Sequence, residues 1–170
     1  MRTYRGLPWV GLTCVLAFWP LTAHAQNYPR VEAAFVVAPS EYDLSGVGWT
    51  SVYSLRLPIG TTSWFTIEPG MTYFSYEGQF SQDVWYINPE VQAQLTPFQG
   101  RVRPYLGAGF GVARGSFGGG SEWDATVSGA LGLRAGLAGP WSALGEVRVR
   151  TIDPWTGTLG EFGLGLARRF

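Results

Sequence analysis

The side chains that could do chemistry in this chain are carboxylates and guanidiniums. They are Glu32, Glu68, Glu90, Glu146 and Glu161 together with Arg56, Arg103, Arg134, Arg148, Arg150 and Arg169. Each sits at one of the alternate positions of a segment whose other positions are mostly apolar, so the charged groups share one face. Two chemistries follow. Glu68 and Glu90, close together on neighbouring segments, resemble the carboxylate pairs that perform general acid–base work. The other reading is structural, with each carboxylate held by a guanidinium. Arg outnumbers Glu on this face, which favours ionised, paired carboxylates over two carboxyls tuned apart. Spacing across the turns suggests Glu161 opposite Arg150, Glu146 near Arg148 and Glu32 near Arg169. Gly107, Gly109, Gly111, Gly163 and Gly165 share the face and would make room for the long side chains.

Other chemistries are excluded early. Arg2 and Arg5 open the chain, Val10–Trp19 is mostly apolar, and Ala23-His24-Ala25 supplies small residues at a cleavage site. Residues 1–25 therefore read as a signal peptide and 26–170 as the mature domain. Cys14 and His24 are the only Cys and His, and both leave with the leader. The mature chain is then expected to have no thiol nucleophile, imidazole base, disulfide, cofactor or Cys/His metal site. Removing Arg2 and Arg5 leaves ten basic residues, all Arg, against twelve acidic ones, a balance that gives no support to nucleic-acid binding. No later segment is apolar for long enough to make a helical span.

The elements that position the charges are strands. The final stretch alternates Phe162, Leu164, Leu166, Arg168 and Phe170 with Glu161, Gly163, Gly165, Ala167 and Arg169, a period of two. Strand four is the most regular, with Trp85, Ile87, Pro89, Val91, Ala93 and Leu95 opposite Tyr86, Asn88, Glu90, Gln92, Gln94 and Thr96. A helix would scatter these apolar groups around its whole circumference. The same reading gives strands over 30–38, 47–57, 64–76, 101–113, 123–135, 141–151 and 159–170. The total is eight, each about 9–13 residues long, which suits a tilted strand crossing a bilayer. Turns are expected at Pro58-Ile59-Gly60, Pro97–Gly100 and Gly136–Pro140. Short loops near 39–46, 77–83, 114–122 and 153–158 close the other end.

An apolar face opposite a charged face means lipid outside and charge inside. The expected fold is all-β, an eight-stranded antiparallel up-and-down transmembrane barrel. Aromatic rings should then form two belts at the membrane interfaces. Trp64, Trp141 and Phe170 belong to the inner rim, Trp49, Tyr73, Trp85 and Trp123 to the outer. An ordinary soluble sandwich would need a more highly charged exterior than these faces supply. Pro69 and Pro89 fall inside strands, where bulges are expected. Arg168 points outward but lies near enough to the rim to snorkel to water.

These features resemble the small eight-stranded outer-membrane barrel family of the OmpA/OmpX kind. The resemblance rests on the leader, the eight alternating strands, the Arg103-Pro104-Tyr105-Leu106-Gly107-Ala108-Gly109 run and the terminal Phe170. It implies a Gram-negative outer-membrane location, porin-like architecture, and outer-membrane lipid and the barrel-assembly machinery as partners, with Phe170 as the assembly signal. It brings no catalytic residue. The barrel enzymes that modify lipid A use a His, which the mature chain lacks. The function expected is that of a monomeric integral protein with a structural or surface-interaction role, its interior plugged by Arg and Glu. Any extracellular partner would meet loop aromatics such as Phe80, Phe117 and Trp155. The alternatives are a narrow small-solute channel gated by the same charges and a soluble periplasmic lipid-binding barrel.

Overall fold

The structure, a computed structural model, describes residues 29–42, 49–77, 83–117, 120–153 and 157–170. The expected leader 1–25, Phe80, Trp155 and the side chain of Phe117 lie outside the described residues. The strands are β1 (Arg30–Tyr42), β2 (Trp49–Arg56), β3 (Ile59–Gly60), β4 (Phe65–Glu77), β5 (Asp83–Leu95), β6 (Val102–Phe117), β7 (Gly120–Gly136), β8 (Trp141–Ile152) and β9 (Gly157–Arg169). Every paired strand is antiparallel to its neighbour, and β1 also pairs with β9, so the sheet closes on itself. Both β2 and the short β3 pair with β1 on one side and β4 on the other. They are two pieces of one wall strand parted at Leu57-Pro58, and the barrel has eight walls.

The register sets the geometry of the lumen. Starting at Arg30, successive paired residues are Gly60, Thr66, Gln94, Gly107, Ala130, Arg148 and Glu161, and the circuit returns to β1 at Ser40. The stagger is therefore ten residues, Arg30 to Ser40, around eight walls. With ordinary strand rise and spacing, that stagger tilts the strands by about 40° from the axis. A barrel of this size has an interior only wide enough for side chains.

Exposure follows parity along each wall. On the outer face, Leu164 is 73 % exposed, Phe110 71 % and Leu131 60 %. Their inward neighbours Glu161, Arg148 and Gln92 are each 1 % exposed. A protein that turns its largest aliphatic groups outward and buries its charges is built for a hydrocarbon surround. Among the described residues no helix is long and apolar enough to cross a membrane, and the crossing is made by strands.

Three expectations need correction. The expected glycine-rich loop at 114–122 is largely strand, because β6 runs to Phe117 and β7 begins at Gly120 with those two residues paired. Likewise residues 39–42, expected in the first short loop, continue β1. Backbone pairing persists past the bilayer edge, where neither lipid nor lumen imposes alternation. The expected bulges at Pro69 and Pro89 are absent, and the β4–β5 register runs through both without a slip. A proline in an antiparallel ladder loses a donor toward one neighbour only. Pro69 still accepts from Leu57 N at 2.8 Å, so its missing donor faces the Leu57-Pro58 break. At Pro89 the interruption falls on the β6 side, between Ile87↔Arg114 and Glu90↔Gly111.

Glycines divide into two kinds, which a substitution series should separate. A Cβ on Gly109 would meet Ser128 Oγ at 2.6 Å and the Glu90 carboxylate at 3.2 Å, so this glycine makes room for a charged side chain as expected. At Gly111 the obstacle is backbone, Glu90 Cα at 2.9 Å, which cannot rotate away. At Gly129, on the lipid face, nothing lies within 4 Å. Gly111→Ala is expected to destabilise by about 1–3 kcal/mol, and Gly129→Ala to be near neutral. Urea unfolding in lipid vesicles, followed by gel mobility, measures both.

Candidate functional site

The inward charges join into one alternating chain. From the short-turn end it runs Glu32, Arg134, Glu68, Arg56, Glu146, Arg148, Glu90, Arg150 and Glu161, with carboxylate and guanidinium in strict succession. Glu32 bonds Arg134, and Arg134 lies 3.7 Å from Glu68. Glu68 is 3.6 Å from Arg56, and Arg56 donates to Glu146 Oε1 at 2.8 Å. Arg148 Nε reaches the same oxygen at 3.0 Å, while Arg148 Nη1 bonds Glu90. Arg150 Nε is 3.5 Å from both Glu90 and Glu161. The chain crosses the lumen repeatedly, linking β1 to β7, β2 to β8 and β5 to β8.

Glu146 is the hub. It takes Arg56 and Arg148 on Oε1, and Tyr105 OH donates to Oε2 at 2.6 Å. Tyr105 fits because Gly132 stands against its ring, where a Cβ would collide. Asn88, wholly buried, orients its amide to donate to Thr126 Oγ1 at 3.0 Å and the Val112 carbonyl at 2.9 Å, and accepts from Arg150 Nη1 at 3.2 Å. Hydrogen bonds to a buried charge offset part of its lost hydration, and these neutral groups serve that end at Glu146 and Arg150.

Nine of the eleven charged residues singled out from sequence are members of this chain. Glu146 with Arg148 and Glu161 with Arg150 pair as expected. The third expected contact differs. Backbone register sets Glu32 opposite Arg169, yet the Glu32 carboxylate is taken by Arg134 across the lumen, and Arg169 is exposed at the rim. Arg103 lies beside it in the same mouth. Glu68 and Glu90 belong to different links of the chain, each flanked by two arginines, so these two do not form an isolated carboxylate pair.

An apolar plug closes the opposite end. Ala38, Val52, Phe74, Tyr86, Ala113, Ile152 and Leu159 form one buried cluster within the lumen. Phe74 and Tyr86 stack with centroids 4.9 Å apart. Sequence reasoning missed this cluster, although the inward parity of Phe74, Tyr86, Ile152 and Leu159 was available as its signal. The lumen thus has three storeys: an open mouth at the short-turn end, a charged middle and an apolar cap.

Outside, the ring-bearing residues are exposed as expected: Trp49, Trp64, Trp123, Trp141, Tyr73 and Phe170. Trp85 is half-buried. Arg168, on the lipid face, lies 5.9 Å from the Trp141 ring and 5.6 Å from that of Phe170, a cation seated among aromatics at the rim. Arg114 lies 5.6 Å from Trp123 near the other rim.

A protein family described as the outer membrane protein beta-barrel domain matches residues 11–170. The structure is similar to Neisserial surface protein A, with 16% identity, 83% of this chain and 96% of that chain covered, and a TM-score of 0.65. It is also similar to Ail, the attachment invasion locus protein of Yersinia pestis, at 16% identity, 84% and 99% coverage and a TM-score of 0.56. The N-terminal barrel domain of Pseudomonas aeruginosa OprF follows at 17% identity, 85% and 100% coverage and a TM-score of 0.58. No curated protein matches the chain.

Proposed function

This chain belongs to the outer membrane protein beta-barrel domain family and lies in the bacterial outer membrane, and from that premise we propose that it is a sealed, non-catalytic barrel whose work is done on its surface. The observation that carries this reading is the closed lumen. Arg148 and Arg150, at its centre, are 1 % and 0 % exposed, and each is held by carboxylates on two sides. A solute would have to part several ion pairs in succession and then enter the Phe74–Tyr86 cap. Parting a buried pair leaves two charges uncompensated out of water, so the intact chain opposes passage at every link.

The same reading assigns 1–25 to a cleaved leader and 26–170 to the mature monomer, with Phe170 read by the assembly machinery. It assigns no enzymatic role, since neither Cys nor His remains after cleavage to make a nucleophile–base pair. Planar-bilayer recording tests it. The native protein is expected to give no steady conductance, and Glu146→Gln to give none either, because the apolar cap still closes the path. Steady native conductance altered by Glu146→Gln would establish the channel alternative instead. Recovery of the mature protein from the aqueous fraction without detergent would establish the soluble one.

A further inference from the structure

The mouth at the short-turn end holds a cavity of about 490 Å³. That volume lies in the range of small-molecule sites, about 300–1,000 Å³. Its walls come from the β5–β6 turn, the β7–β8 turn and the start of β1 and end of β9, which bring Arg30, Arg101, Arg103 and Arg169 to one place. Among the described residues the only carboxylate side chain in the lining is Glu32, and that group bonds Arg134 on the floor. The four guanidiniums of the ion-pair chain above, Arg56, Arg134, Arg148 and Arg150, are distinct from the four arginines of this lining. The result is a concave surface with a concentrated excess of positive charge.

We propose that this vestibule binds a phosphate-bearing anion. Guanidinium forks match phosphate oxygens in pairs, and several of them converging on one cavity favour a group with more than one negative charge. Arg101 is tied to the end of β7, donating from Nε to the Gly136 carbonyl at 3.3 Å. The β7–β8 turn is shaped by Gly139, whose φ of +62° other residues adopt only with strain. The Glu32–Arg134 pair and the chain behind it make the site a dead end, entered and left by one opening. Binding here is separate from conduction and stands whether or not the lumen passes solute.

The same chemistry could arrive on a soluble phosphate compound or on an anionic phospholipid headgroup at the rim. The test uses protein folded in a phosphate-free glucoside detergent at low salt, titrated with inorganic pyrophosphate and read through the amide shifts of Gly100, Gly136 and Gly139. Saturable shifts are expected, with affinity reduced about tenfold in Arg103→Gln and in Arg169→Gln, and unchanged in Arg114→Gln at the far rim. Native heat-modifiable mobility of each variant shows that it folds. In nanodiscs, shifts that appear on adding phosphatidylglycerol to phosphatidylcholine, and that block pyrophosphate, assign the site to a headgroup. Pyrophosphate binding that phosphatidylglycerol leaves intact assigns it to a soluble compound. Absence of saturable shifts, or equal weakening by Arg114→Gln, overturns the proposal.

Discussion

Arg148→Ala is expected to lower the unfolding free energy of the barrel by about 3–5 kcal/mol. The substitution removes the one side chain that bonds both Glu146 and Glu90, in the middle of the lumen and 1 % exposed. Arg56 remains on Glu146 Oε1 and Arg150 beside Glu90 Oε2, so Glu146 keeps one guanidinium of two and Glu90 Oε1 loses its ion-pair partner. Two buried carboxylates are then under-compensated, and desolvation of each acts against the fold. Arg148→Lys keeps the charge and loses the fork, so a smaller loss of about 1–2 kcal/mol is expected. The measurement is a urea titration in lipid vesicles with the heat-modifiable gel shift as readout. Equal stability of Arg148→Ala and the native protein would show that the chain of ion pairs does not hold the lumen together.

The second large effect lies on the other face. Leu164→Arg places a guanidinium near the bilayer midplane, at a position 73 % exposed and flanked in register by Gly145 and Val37. The expected cost is about 2–4 kcal/mol, whereas Leu164→Phe should change little. Four residues along the same strand Arg168 is already present without such a cost, because its guanidinium, over the Trp141 ring at the rim, can reach headgroups and water. In a water-soluble barrel the sign would differ, since an exposed Leu replaced by Arg is then neutral or favourable. The same unfolding assay reads it, and an unchanged midpoint would remove lipid from the account.

The faces of the strands were legible from residue types because the two sides of each wall meet different media. Phe35, Met71, Val91 and Leu164 face outward as their alternation demands, and Glu32, Glu68, Glu90 and Glu161 face inward. What alternation does not carry is position along the axis relative to other strands. Glu32 seemed a partner for Arg169 across the seam, and register does place them opposite. A stagger of ten residues over eight walls nevertheless brings Arg134 from the far side into reach. Contacts between residues on one strand or one hairpin, such as Glu146 with Arg148 and Glu161 with Arg150, depend little on that stagger and were readable. Tyr105 and Asn88 escaped notice as partners because their role appears only once Glu146 and Arg150 stand beside them. The proline bulges failed for a different reason: each ring removes a donor on one side of its strand, and the register is the same before and after the gap.

The order of links along the ion-pair chain also constrains how the protein is made. Arg56 on the second wall finds its tightest partner on the seventh, and Glu32 on the first finds Arg134 on the sixth. A nascent chain therefore carries these charges hydrated and unmatched until nearly all of it has been delivered. Dehydration of the interior and completion of the cylinder become a single late event, and a chain arrested before Trp141–Ile152 has no dry state to fall into.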